Sequence, residues 1–111
     1  THPGRAAGCS EPLDWKALRR LDFEPPDFER FPALSLAYRV IEEGGTSGAV
    51  LNAANEQAVE AFLNERIRFG EIARLVAAVM DAVPTQPATD LTTILDADRA
   101  GRTFVADQIG R

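Results

Sequence analysis

The chain is poor in the residues that most often carry chemistry. Its 111 residues include one cysteine, one histidine, one tryptophan, one tyrosine and one methionine. The single cysteine, Cys9, cannot close an internal disulfide; this fits a reducing compartment and fits a secreted chain without bridges almost as well. The single histidine, His2, lies near the terminus with no Cys or carboxylate cluster beside it, which excludes the usual metal-ligand spacings and any triad with Ser47. Positive charge is short as well. Twelve Lys and Arg face seventeen Asp and Glu, a net charge of -5, whereas a nucleic-acid surface needs a basic footprint. No apolar run is long enough to span a bilayer, and no signal-peptide pattern opens the chain. The expectation is a cytoplasmic protein with no membrane and no nucleic-acid partner. Strand-period alternation and internal repeats are also missing.

What is present is ordinary hydrophobicity, 45% of residues, enough for one modest domain. Residues 1–30 carry His2-Pro3-Gly4, Gly8, Pro12 and Pro25-Pro26, spaced to break helices. Leu13, Trp15, Leu18, Leu21 and Phe23 lie among them. A free linker gains nothing by exposing an indole, so this segment is expected to be an extended arm lying on something apolar. Residues 31–111 read as helices. Phe31, Leu34, Ala37, Tyr38 and Ile41 follow helical spacing, Pro32 suits a first turn and Gly44-Gly45 suits a stop. A second helix starts near Thr46 or Ser47, either of which can cap it, and runs to about Arg66. A third starts near Gly70, with Glu71 favourable to its dipole. It carries Ile72, Leu75, Val76, Val79 and Val83, and stops at Pro84. Leu91, Ile94 and Leu95 suggest a short turn, and a last helix places Ala97, Gly101, Phe104, Val105 and Ile109 on one side. The predicted fold is all-α, a small bundle of about four helices behind an extended N-terminal arm.

The stretch VLNAANEQAVEAFL, residues 50–63, asks for explanation. Asn is a mediocre helix former, yet Asn52 and Asn55 sit mid-helix and Glu56 follows. The spacing places Leu51, Asn55, Ala58, Val59 and Phe62 on one stripe. Leu51 and Phe62, with Leu75, are therefore expected in the core. Asn55 is expected to be buried and bonded to loop backbone, plausibly within residues 27–32, as a structural tie more than a ligand site. The GGTSG run at 44–48 lacks the Lys and preceding strand of a phosphate loop, so a helix–helix turn is the better reading. Glu42-Glu43, and Asp96 with Asp98, read as solvated charges or caps.

FPALSLA (31–37), VLNAANEQAVEAFL (50–63) and IRFGEIA (67–73), in this order and spacing, resemble the C-terminal portion of the 1-deoxy-D-xylulose 5-phosphate reductoisomerase family. EPLDW (11–15) and LDFEPPDFERFPAL (21–34) are similar to the segment leading into that family's terminal bundle, and HPGR (2–5) to its Tyr-Pro-x-Arg. Two positions depart: Ala33 stands where the family often has Cys, and Gln57 where it usually has an aliphatic residue. The resemblance implies a supporting helical domain of an enzyme that rearranges 1-deoxy-D-xylulose 5-phosphate and reduces it with NADPH to 2-C-methyl-D-erythritol 4-phosphate, in non-mevalonate isoprenoid synthesis. It implies Mg or Mn, a homodimer, and partner domains that hold the catalytic, NADPH-binding and metal residues. No catalytic, cofactor-binding or metal-ligating position carries over onto this chain, which by itself is expected neither to bind NADPH nor to turn over substrate. The alternative is a stand-alone helical protein-interaction module.

Overall fold

The structure, a computed structural model, describes residue 4 and residues 6–110. His2, and all but one residue of HPGR, lie outside the described residues. Among the described residues, four helices follow the arm: α1 (Ala33–Glu43), α2 (Ser47–Leu63), α3 (Phe69–Ala82) and α4 (Leu91–Gly110). Among the described residues there is no strand. The expected all-α fold and helix number are those observed. The arm is extended and turns twice. Asp14 Oδ1 accepts the N–H groups of Lys16 (3.0 Å) and Ala17 (3.3 Å), and Asp27 Oδ1 accepts those of Glu29 (3.1 Å) and Arg30 (3.0 Å). Such Asp side chains build a turn without outside partners.

Helix ends show which local signals operated. Pro32 opens α1 and Gly44 closes it at φ 63°. The hydroxyls expected to cap α2 do not do so. The Ser47 hydroxyl donates to the Gly44 carbonyl (2.6 Å), and Thr46 Oγ1 accepts the Gln86 N–H (2.9 Å). Helix α2 ends three residues short of Arg66, in a Schellman turn. The Arg66 N–H reaches the Ala61 carbonyl and the Glu65 N–H the Phe62 carbonyl, both at 2.9 Å. Glu65 supplies the left-handed residue (φ 59°) that is more often glycine. Helix α3 opens on a capping box, with the Arg68 N–H donating to Glu71 Oε2 (2.8 Å). The expected short turn at residues 91–95 is not separate from the last helix: α4 is continuous from Leu91. Asp90 Oδ1 anchors its start, accepting the Thr93 N–H (2.8 Å) and hydroxyl (3.0 Å). Thr92 and Thr93, weak helix formers, fall in the first turn.

The core gathers Val50, Ala54 and Ala58 of α2, Leu75, Val76, Val79 and Met80 of α3, and Val105 of α4. Helix α2 packs against both α3 and α4. Leu75 is where the sequence placed it; Leu51 is a half-buried flank of the core, and Phe62, expected in the core, is half-buried with its ring edge-on to Phe69 at 5.6 Å. The inward face of α2 is Val50, Ala53, Ala54, Ala58 and Ala61, rotated from the expected stripe, and Asn55 is exposed. The cause is the approach of α4. A Cβ on buried Gly101 would lie 3.2 Å from the Val50 carbonyl oxygen and 3.3 Å from Ala53 Cβ. The alanines that dilute the hydrophobic pattern are what let two helix backbones come this close. In helix α1, Leu36 and Val40 pack on the core, whereas Leu34, Tyr38 and Ile41, whose helical spacing marked the helix, are exposed, as is Phe31 in the turn before it.

Candidate functional site

The polar residues of the central stretch close on one another. Asn52 Nδ2 donates to Glu56 Oε1 (3.1 Å), and Arg102 Nη2 donates to Glu56 Oε2 (2.7 Å). Arg102 also binds Asp98 one turn back, through Nε (2.8 Å) and Nη2 (3.2 Å). The Arg102 hydrogen bond, then that of Asn52, holds the Glu56 carboxyl below the usual glutamate range. Asp98 and then Glu56 raise the Arg102 guanidinium further above its ordinary value. A base with a depressed pKa and every oxygen engaged is a poor proton acceptor. The arrangement straps α2 to α4. It also explains Asn52, whose amide takes the carboxylate oxygen that Arg102 leaves free.

A second cluster ties α1 to the end of α3. Arg39 Nη2 donates to the Met80 carbonyl (3.1 Å), and its other nitrogens pair with Asp81 and Glu43. The Thr85 hydroxyl donates to Glu43 Oε2 (3.0 Å). Glu43 is held below its usual range, first by Arg39 and then by Thr85. A cation at a helix C-terminus also answers the helix dipole. Beside it, the Thr46 N–H donates to the Gln86 carbonyl and Thr46 Oγ1 accepts the Gln86 N–H, both at 2.9 Å. A Cβ on Gly45 would sit 2.3 Å from the Gln86 oxygen, at φ 52°. The GGTSG run is therefore a helix–helix turn closed by another loop, and its backbone offers no cradle for phosphate.

The other candidates stay apart. Cys9 is exposed. The hydroxyl of Ser47 is spent on Gly44, Glu42 is exposed, and Asp96 pairs with Arg99 at 3.3 Å. Among the described residues, no three His, Cys, Asp or Glu converge on a point that could hold a metal. Depressions in the surface are open. One, of about 460 Å³, is lined by Val83 and the α4 residues Asp96, Arg99, Ala100, Thr103, Phe104 and Asp107. One of about 260 Å³ between α1 and α3 is lined by Pro32, Leu36, Gly70, Ala73, Arg74 and Ala77.

What the chain presents most strongly is apolar surface. Trp15 is 75% exposed and Phe23 89% exposed, and Leu13, Leu21, Phe28 and Phe31 are exposed with them. The Phe28 ring lies 6.2 Å from the Tyr38 ring, so the arm meets α1 at an aromatic pair. The sequence showed the arm to be too apolar for a free linker. It did not show that α1 turns an apolar face the same way, because the spacing of that face is equally that of a core stripe.

Three comparisons bear on these features. A family model described as the DXP reductoisomerase C-terminal domain matches residues 1–104. The 1-deoxy-D-xylulose 5-phosphate reductoisomerase of Dechloromonas aromatica is 52% identical over 100 residues, 90% of this chain and 25% of the relative. That of Ectopseudomonas mendocina is 44% identical over 109 residues, 98% of this chain and 28% of the relative. A solved structure of the Zymomonas mobilis reductoisomerase in complex with NADPH superposes with a TM-score of 0.86 at 41% identity, covering 99% of this chain and 29% of that one. Another, of a reductoisomerase in complex with magnesium, gives 0.84 at 35% identity, covering 98% and 30%. The chain thus spans little more than a quarter of the length of the relatives it matches.

Proposed function

This chain belongs to the 1-deoxy-D-xylulose 5-phosphate reductoisomerase family, as its C-terminal domain, and from that premise we propose that it supports an enzyme converting 1-deoxy-D-xylulose 5-phosphate to 2-C-methyl-D-erythritol 4-phosphate with NADPH. Residues 1–30 act as the linker arm and residues 31–111 as the bundle domain. The reaction serves non-mevalonate isoprenoid synthesis in the cytoplasm, in a homodimer whose catalytic and NADPH-binding domains are the partners of this one. The observation that carries the reading is the superposition of arm and bundle together, over 99% of this chain, on the NADPH-bound Zymomonas mobilis enzyme. The residues described here do not fit either cofactor. The glycine-rich turn is filled by Gln86, and no acidic cluster is assembled. Catalytic, NADPH and Mg or Mn contacts are accordingly assigned to polypeptide outside this chain, whose part is to stiffen and position. No observation favours a stand-alone interaction module.

A chimera tests the proposal. This chain replaces the C-terminal quarter of the Dechloromonas aromatica enzyme, and NADPH oxidation is followed with substrate and magnesium. The expected rate stays within about tenfold of the parent, a barrier change of about 1.4 kcal/mol. A chimera that folds and binds NADPH yet is no faster than the parent lacking its terminal quarter would overturn it.

A further inference from the structure

Helix α1 is apolar on two sides. Leu36 and Val40 point to the bundle. Leu34, Tyr38 and Ile41, which are 40%, 57% and 77% exposed, point away. At 100° per residue the outer three lie within roughly 60° of one another, on the side opposite Leu36. Exposed apolar residues recur along the chain before it, at Phe31, Phe28, Phe23, Leu21 and Trp15, and the Phe28 ring lies 6.2 Å from that of Tyr38. A helix apolar on opposite faces is a helix with neighbours on both, and contiguous exposed apolar surface marks a site of association.

We infer that the outer face of α1, with the apolar side of the arm, is covered by the polypeptide that precedes the arm in the same enzyme, so that α1 is a middle layer between the bundle and the catalytic part. The inference rests on the function proposed above. Three observations select this occupant over a second copy of the chain. The matched relatives are nearly four times as long and this is their C-terminal domain, so their remaining polypeptide enters through the arm. Exposed apolar residues recur along the arm that leads to that entry, and a short tether gives an effective concentration in the millimolar range. Two copies of a chain of net charge -5 repel each other.

The test compares the isolated chain with the chimera, using hydroxyl-radical labelling of Tyr38 and Ile41. Both side chains should label readily in the isolated chain and lose that labelling in the chimera. Ile41→Glu should leave the Tm of the isolated chain unchanged to within about 3 °C, and lower kcat/KM of the chimera about tenfold or more. Equal labelling in the two proteins would overturn the inference. So would a dimer of the isolated chain, seen by sedimentation and abolished by Ile41→Glu, which would make the occupant a second copy. An inactive chimera with Tyr38 and Ile41 protected would overturn the functional reading alone and leave the covered face standing.

Discussion

Glu56 shows how much one side chain can hold at a distance. It joins Asn52 on its own helix to Arg102 on α4 and is held ionised by both. Glu43 is held so by Arg39 and Thr85, and Asp90 first by the backbone N–H of Thr93. In each case the carboxyl has a lower pKa folded than unfolded. Its contribution is therefore complete above the ordinary carboxylate range and is lost as the pH falls through the folded value. Thermal melts followed by circular dichroism should be flat through neutral pH and drop once the pH falls below about 4. Glu56→Gln should lose less on acidification than the parent chain; a Tm that rises as acid is added would contradict the assignment. The size of the effect is limited, because the Glu56 side chain is 54% exposed. The sequence marked Asn52 and Asn55 as out of place in an alanine helix, with Glu56 following. It could not name Arg102, 46 positions on, since no local pattern records a partner so distant. Asn55 was misplaced for a related reason. Its neighbours at helical spacing are apolar, but the inward direction is set by α4, and α4 comes to the alanines.

At the scale of the element, boundaries written in proline, glycine and capping carboxylates were legible: Pro32, Gly44-Gly45, Glu71, Pro84. Faces were less so. Hydrophobic spacing weights large residues, whereas the tightest crossing in this fold is made by the smallest. Gly101 lies against the backbone of α2, and a helix backbone cannot yield as a side chain would. Gly101→Leu should destabilise the chain by about 1–3 kcal/mol in urea melts through overpacking, despite the better helix propensity of Leu. A loss under about 0.5 kcal/mol, the range of ordinary surface changes, would mean that the helices stand further apart. The continuity of α4 is not written in the spacing of Leu91, Ile94 and Leu95; its local signal is Asp90, which accepts the Thr93 N–H and hydroxyl.

For the molecule as a whole, family and fold were readable from three short segments in order. Which side of α1 meets the bundle was not, because a helix between two neighbours carries two valid stripes and one sequence does not rank them. The way α1 is fastened has a mechanical consequence. The arm joins its first turn, and its far end is held by Arg39, Glu43 and the reciprocal hydrogen bonds of Thr46 with Gln86. None of the eleven residues of α1 is fully buried. A tug on the arm is therefore met first by α1 and its ties to the end of α3 and the loop after it, before it reaches α2 and the core residues Val79 and Val105. In an optical trap, with handles at the arm and at residue 110, α1 should peel away in a first yielding step before the other three helices give. A single all-or-none rupture would show that force reaches the core directly. Built this way, the bundle is an anchor with a compliant shackle, able to follow small displacements of whatever the arm is attached to while its own interior stays unstrained.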